Sequence, residues 1–233
     1  RDDVIDPSRG IFNTLDAGLA SRYFGSGVSF FRALGRNNTY HPVAGRYVLA
    51  RSLSLGAIRP FGFSERAGSA ELAVPFAERF FAGGSASHRG FPENQAGARD
   101  LTTGFPLGGN ALLFHNTEFR FPLLGDNIGG VFFHDAGNVY STPGDISFRV
   151  KQRDVTDFNY MVHAAGFGLR YRTPIGPLRV DLAYTVNPPR FVGFEGDFDE
   201  LLACSRPGAV RPCPTSRQRL SGFNFFISIG QTF

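Results

Sequence analysis

Residues able to do covalent chemistry are present in this chain, but none sits at a spacing that would let it act. Gly83-Gly-Ser-Ala-Ser87 has the first glycine and the serine of a nucleophile elbow and lacks the closing glycine. Gly166-Phe-Gly-Leu-Arg-Tyr171 lacks the third glycine of a dinucleotide fingerprint. The five histidines are dispersed without metal-ligand spacing. His134 and Asp135 are adjacent, and adjacent strand residues point to opposite faces, so they cannot work as a pair. The chain is therefore not read as an enzyme, and no cofactor or metal is implied. What remains is electrostatic. The stretch Glu78–Gly97 is rich in glycine and carries aromatic anchors, as an organised loop does. Glu118 shares the polar parity of its strand with Asn110, Asn116 and Arg120, and Asp135 sits in Phe132-Phe-His-Asp-Ala-Gly-Asn138. An inward carboxylate on each strand would suit an arginine folded in from a loop, because a guanidinium bridges two carboxylates in a planar fork.

The elements that would position these groups are strands. In Phe223–Phe233, Phe223, Phe225, Ile227, Ile229 and Phe233 occupy one parity, and Asn224, Ser228, Gly230 and Thr232 the other, with only Phe226 and Gln231 breaking the pattern. This period of two gives one greasy and one small, polar face, over about the length a tilted strand needs to cross a bilayer. The same alternation places Phe167, Leu169 and Tyr171 opposite Gly166, Gly168, Arg170 and Arg172. It also places Leu178, Val180, Leu182 and Tyr184 opposite Arg179, Asp181, Ala183 and Thr185. Greasy residues would face lipid and charged ones a wet lumen. Eight such segments can be marked, at 10–21, 28–41, 46–60, 109–122, 128–140, 162–174, 177–188 and 222–233. Segment 28–41 alternates poorly. In 46–60, Arg51 shares a face with Leu49, Leu53 and Leu55, which calls for a bulge or a snorkelling side chain. Tight turns at Pro42–Gly45, Leu123–Asn127 and Pro174–Pro177 alternate with long connections at 61–108, 141–161 and 189–221. Short turns on one side and long loops on the other are the layout of a transmembrane antiparallel β-barrel, with the short turns facing the periplasm.

Composition agrees, though by itself it would suit a soluble β-sandwich equally well. Gly at 29 and Phe at 26 are both high, and with a mean hydropathy of −0.11 no window of eighteen consecutive apolar residues exists for a membrane helix. The net charge of +4 comes almost wholly from arginine, Lys151 being the only lysine. The arginines lie singly along strands, without a basic run, so no nucleic-acid partner is implied.

The motifs in order resemble the carboxy-terminal half of a barrel of the outer-membrane-protein-85 superfamily, the bacterial surface antigen family of BamA/TamA type. His88-Arg89-Gly90-Phe91, preceded by Phe80-Phe-Ala-Gly-Gly-Ser85, resembles the family's sixth-loop motif, with His88 where an aliphatic residue is usual. Gly109-Asn-Ala-Leu112 leading into Glu118-Phe-Arg120 resembles the twelfth strand, and Phe133-His-Asp-Ala-Gly137 the thirteenth. Thr173–Leu178 resembles the turn before the fifteenth strand, Asp6–Gly10 a strand opening, and Phe233 the terminal assembly signal, together with Phe223, Phe225, Ile227 and Ile229. The resemblance implies residues 1–233 as a carboxy-terminal barrel region without POTRA repeats, half of a sixteen-stranded barrel in the bacterial outer membrane. It implies a sixth-loop Arg89, with Gly90 and Phe91, reaching inward to Asp135 and Glu118. Its partners would be outer-membrane lipid and client outer-membrane or secreted polypeptides, which it assembles, inserts or translocates. A two-partner secretion transporter or a patatin-linked barrel domain would carry the same motif. An outer-membrane barrel enzyme would need clustered Ser, His and Asp, and a porin-like barrel would lack the arginine-to-carboxylate lock. Eight strands alone would leave open edges at 10–21 and 222–233, so a second copy or another half-barrel is expected to complete the wall.

Cys204 and Cys213, the only two cysteines, share a Pro-rich loop with no histidine nearby to complete a zinc site. A local disulfide outside the cytoplasm follows, the alternative being two free thiols in a reducing compartment. A ten-residue ring contributes roughly 2.7 kcal/mol in the chain-entropy model. Non-reducing alkylation followed by mass spectrometry should leave both cysteines unmodified; labelling of both in native, never-reduced protein would contradict the bond.

Overall fold

A computed structural model describes residues 1–62, 73–125, 127–174, 176–206 and 212–230. Asp126 and Ile175, in two of the expected turns, and the terminal Phe233 lie outside the described residues. In chain order the elements are β1 Gly10–Ala20, β2 Phe30–Ala44, β3 Tyr47–Pro60, β4 Ala98–Arg99, β5 Pro106–Gly108, β6 Ala111–Leu124, β7 Ile128–Tyr140, β8 Val162–Tyr171, β9 Leu178–Thr185, β10 Arg190–Phe194, α1 Phe198–Ser205, β11 Thr215–Arg219 and β12 Phe223–Ile229. Eight of the strands form one antiparallel sheet in the order β1-β2-β3-β6-β7-β8-β9-β12. These are the eight segments marked in the sequence, each joined to its chain neighbour. β1 and β12 end the sheet and do not pair with each other, so the wall is a half-barrel.

The alternation has a physical reading in this wall. Phe132, Phe167, Leu169, Leu182 and Tyr184 are exposed on the convex face, as are Phe223, Phe225, Ile227 and Ile229 at 61–65%. Among the described residues nothing covers them, and lipid is the solvent that would. Rings on this face meet across strands, Tyr47–Phe119 stacked at 5.8 Å, Phe121–Phe132 stacked at 5.2 Å and Phe132–Phe167 tilted at 5.5 Å between centroids. On the concave face Asp135, Asp181, Arg179, Thr185 and Asn224 are buried.

Where the alternation is weak, the hydrogen-bond ladder decides. β2 pairs with β1 from Phe30 to Tyr40 and with β3 to Ala44, past the expected end at 41, with a register shift against β3 between Pro42 and Ala44. Its pattern is blurred because its concave face carries both apolar Phe30 and Leu34, packed under the loop, and buried Asn38. β3 pairs without a shift with β6 from Val48 to Ala57, so Arg51 lies on the convex face without a bulge. β1 ends at Ala20, where Ser21 caps a short 3₁₀ turn by accepting a bond from the Tyr23 N–H. β12 is described to Ile229.

The core lies between the sheet and the segment 73–108, which folds back onto the concave face. Val74, Phe80, Ala82, Phe91 and Ala96 of that segment pack against Phe30, Ile58, Leu112, Phe114, Val139 and Val162 of the wall. The short β4–β5 ladder closes the far end of this segment. The long connection 189–221 holds the β10–β11 hairpin and α1, and Cys204 is disulfide-bonded to Cys213.

The two faces of β12 make a direct test. Ile227→Arg, on the convex face, should cost about 2–4 kcal/mol near the bilayer midplane, and Ser228→Arg, on the concave face, clearly less. A urea refolding titration in lipid vesicles measures both; equal costs would mean that the face assignment is wrong.

Candidate functional site

The loop that carries Arg89 is shaped by its backbone. Gly83 and Gly84 hold φ of +125° and +84°, in the region that favours glycine. The Ser87 hydroxyl accepts from the Gly83 N–H and donates to the Gly83 carbonyl, both at 2.8 Å, and the Gly84 N–H donates to the Phe91 carbonyl at 2.9 Å. A tight ring of residues 83–91 results, with Arg89 at its inward tip. The wall holds this ring at several points. Asn116 Nδ2 on β6 donates to the Ser87 carbonyl at 2.8 Å, and the Thr185 hydroxyl on β9 donates to the Gly90 carbonyl at 2.8 Å. His88 Nε2 lies 3.0 Å from the Val162 carbonyl on β8. Gly90 is close-fitted, since a Cβ there would sit 2.8 Å from both the Ala164 methyl and the His88 ring.

Arg89, Glu118 and Asp135 have no exposed side-chain surface. Arg89 Nε and Nη2 donate to the two oxygens of Asp135, each at 2.8 Å, and the Arg89 backbone N–H donates to Asp135 Oδ2 at 2.9 Å. Nη1 donates to Glu118 Oε1 at 2.7 Å, and the guanidinium carbon lies 3.5 Å from the centroid of the Phe133 ring. Burial opposes the Arg89 charge, but Asp135, Glu118 and Asp181 outweigh it and raise the pKa further above the ordinary arginine value. A charge so enclosed is tolerated because each end of the fork meets a carboxylate.

The sequence placed Arg170, Arg179 and Asp181 on the lumen side of their strands but gave no sign that they converge. In the structure they extend the lock into a network. Arg120 Nε donates to Glu118 Oε2 at 3.0 Å, and Arg170 Nη1 donates to Asp181 Oδ1 at 2.6 Å. Asp181 Oδ2 lies 3.8 Å from both Arg89 Nη1 and Arg179 Nε, while Arg179 Nη2 donates to the Ser85 carbonyl at 2.7 Å. Four guanidinium groups thus face three carboxylates on β6, β7 and β9. Gly168 makes the space, because a Cβ there would come within 2.0 Å of Asp181 Oδ1. Similarly, Gly166 leaves a hollow for the Phe133 ring under Arg89, whose Cζ would lie 2.4 Å from an added Cβ. Each carboxylate is committed to at least one guanidinium, which is how a fastening is built.

Phe91 is fully buried in the core beside this network, whereas Phe223, Phe225, Ile227 and Ile229 lie on the convex face at the sheet edge. Among the described residues, no three His, Cys, Asp or Glu side chains come close enough to hold a metal ion.

A half-cylinder of strands with a lipid-facing convex side and an inward loop pinned by a buried arginine defines a membrane β-barrel wall. All of residues 1–233 match the Omp85 superfamily domain, and the chain belongs to that family. It is 25% identical over 186 residues to the outer membrane protein assembly factor BamA of Nitratidesulfovibrio vulgaris, covering 79% of this chain and 21% of that protein. To BamA of Neisseria meningitidis serogroup B it is 23% identical over 204 residues, covering 78% and 24%. To BamA of Neorickettsia risticii it is 30% identical over 135 residues, covering 57% and 16%. The chain therefore spans no more than 24% of the length of these relatives. The crystal structure of BamA from Haemophilus ducreyi lacking POTRA domains 1-3 superimposes with a TM-score of 0.63, at 20% identity, over 96% of this chain and 39% of that one. At that identity the likeness speaks for the fold. As a family member with this wall, the protein resides in the bacterial outer membrane.

The lock predicts a coupling. Arg89→Ala leaves two buried carboxylates short of a partner and should cost about 3–5 kcal/mol, as should Asp135→Ala for the opposite reason. The double variant should cost much less than the sum in a double-mutant cycle read by unfolding in detergent or vesicles. Simple additivity would mean that the two side chains are not coupled.

Proposed function

We propose that residues 1–233 form the carboxy-terminal half of a BamA/TamA-type barrel that assembles β-barrel proteins into the outer membrane or passes polypeptide across it. No covalent step is needed in this reading. A strand at the edge of a sheet presents unpaired N–H and C=O groups, and in lipid these can be satisfied only by another strand. Such an edge recruits a client strand by β-augmentation, with main-chain hydrogen bonds giving affinity and alternating side chains setting the register. β12 is paired with β9 on one side, and its convex residues are those a client strand would extend into lipid. The observation that carries this reading is the loop of residues 83–91 pinned to the wall by Arg89, in a chain that belongs to the Omp85 superfamily. It supports a device that keeps a wide barrel stiff while its edge stays available. A further set of strands, from the rest of a longer protein or from a second chain, would complete the barrel.

The test uses the full-length protein in lipid vesicles with an unfolded eight-stranded client barrel. Client folding, followed by heat-modifiable gel mobility, should be faster than in empty vesicles, and a cysteine at Ile229 should form a disulfide with a cysteine on the client's terminal strand. No acceleration and no cross-link, together with passage of a soluble polypeptide into the vesicle lumen, would replace assembly by secretion.

A further inference from the structure

His88 stands beside the lock, and none of the roles above uses its chemistry. It is a fully buried imidazole with both ring nitrogens committed. The Gly90 N–H donates to Nδ1 at 3.0 Å, so Nδ1 carries no proton. Nε2 therefore holds the proton and donates it to the Val162 carbonyl on β8 at 3.0 Å. The ring is held edge-on by Phe91 and Phe114, with centroids 5.0 and 5.6 Å away. One side of the imidazole thus fixes the turn that points Arg89 inward, and the other ties this turn to the wall.

We propose that His88 is the positioning residue of the arginine lock and makes it releasable by protons: neutral, it clamps the Arg89–Gly90 turn to β8, and protonated, it lets the turn go.

The argument is one of donors and acceptors. A second proton on the ring must go to Nδ1, which would set an N–H against the Gly90 N–H at 3.0 Å and turn a bond into a repulsion. It would also place a cation between two phenyl rings, next in sequence to Arg89. The charged and titratable groups around the ring are Arg89 on its own loop, Asp135 and the outward-facing His134 on β7, and His163 beside Val162 on β8. Glu118 on β6 is held at the far end of the Arg89 fork. Asp135 and the Val162 carbonyl favour the imidazolium, but both oxygens of Asp135 already accept from Arg89. Burial is the largest influence on His88 and, with Arg89 and His134, depresses its pKa below the ordinary histidine value.

The sign follows from linkage. Above about pH 7.5 the imidazole is neutral whether the loop is docked or free, and docking carries no proton cost. As pH falls through about 6.5, the free loop takes up a proton that the docked loop refuses. Docking then weakens by up to about tenfold per pH unit until the docked ring itself titrates.

Hydrogen exchange of the Arg89 and Gly90 amides in the full-length protein in nanodiscs measures this. After correction for intrinsic rates, protection should hold from pH 8 to 7 and then fall by up to about tenfold per unit toward pH 5. In His88→Gln and His88→Val, which cannot titrate, protection should not change with pH. Constant protection in the wild type, or the same acid loss in either variant, overturns the proposal. Should neither variant fold, the ring ¹⁵N shifts of wild-type His88 decide. A neutral ring with its proton on Nε2 while the loop is docked, turning cationic as protection is lost, supports it; protonation of a ring whose loop stays protected overturns it.

Discussion

A guanidinium with no exposed surface constrains everything around it. Taking such a charge out of water is expensive, and only carboxylates placed at both ends of its fork offset the cost. Asp135 and Glu118 meet that requirement from adjacent strands, where Glu118 pairs in register with Phe133 and Asp135 with Asn116. The lock therefore needs a sheet in correct register before the loop can dock. A one-residue slip between β6 and β7 would turn one carboxylate out toward lipid and leave Arg89 half paired.

Space is the second constraint, and the wall creates it by omission. Glycines at 166 and 168 leave room for the Phe133 ring and for the Arg170–Asp181 pair, and Gly90 lets the turn approach β8. Gly137 holds φ of +145°, and a Cβ there would lie 2.0 Å from the Leu113 carbonyl, so β7 passes β6 closely just above the lock. Each is a place where a missing side chain lets neighbouring groups of the wall, or the loop at Gly90, approach more closely.

Much of this was legible in the sequence, for physical reasons. In β8 and β9 one face meets lipid and the other a charged lumen, so the period of two appears undiluted; in β12 the inner face is small and polar except for Phe226. β2 hid because its concave face has to serve both an apolar loop and buried polar groups. The pairing of Arg89 with Glu118 and Asp135 could be anticipated because parity and a loop motif both pointed inward. The convergence of Arg120, Arg170, Arg179 and Asp181 could not, because parity gives a side chain's face but not its height along the barrel. α1 did leave a local signal. Asp197 and Glu200 form a reciprocal capping box at its start, an Asp-x-x-Glu spacing readable in advance. The β10–β11 hairpin left little, because Thr215-Ser-Arg-Gln-Arg219 is polar on both faces and its pairing is local.

The points at which the loop is held also divide the wall mechanically. Asn116, Glu118 and Asp135 fasten it to β6 and β7, Val162 to β8, and Asp181, Arg179 and Thr185 to β9. Four consecutive strands are thus cross-braced from the inside, in addition to their ladders. β12 lies one strand beyond this brace. Apart from its ladder with β9, β12 meets that strand through Asn224 Nδ2, 3.5 Å from the Thr185 hydroxyl that holds Gly90, and through the Phe223 ring, 5.0 Å from that of Tyr184. Separating β12 from β9 therefore breaks one ladder and leaves every charge of the lock paired. Separating any two of the braced strands would also pull a carboxylate or the Gly90 tether away from the loop. Among the junctions from β6 to β12, the one between β9 and β12 is therefore the one that can part without disturbing the lock.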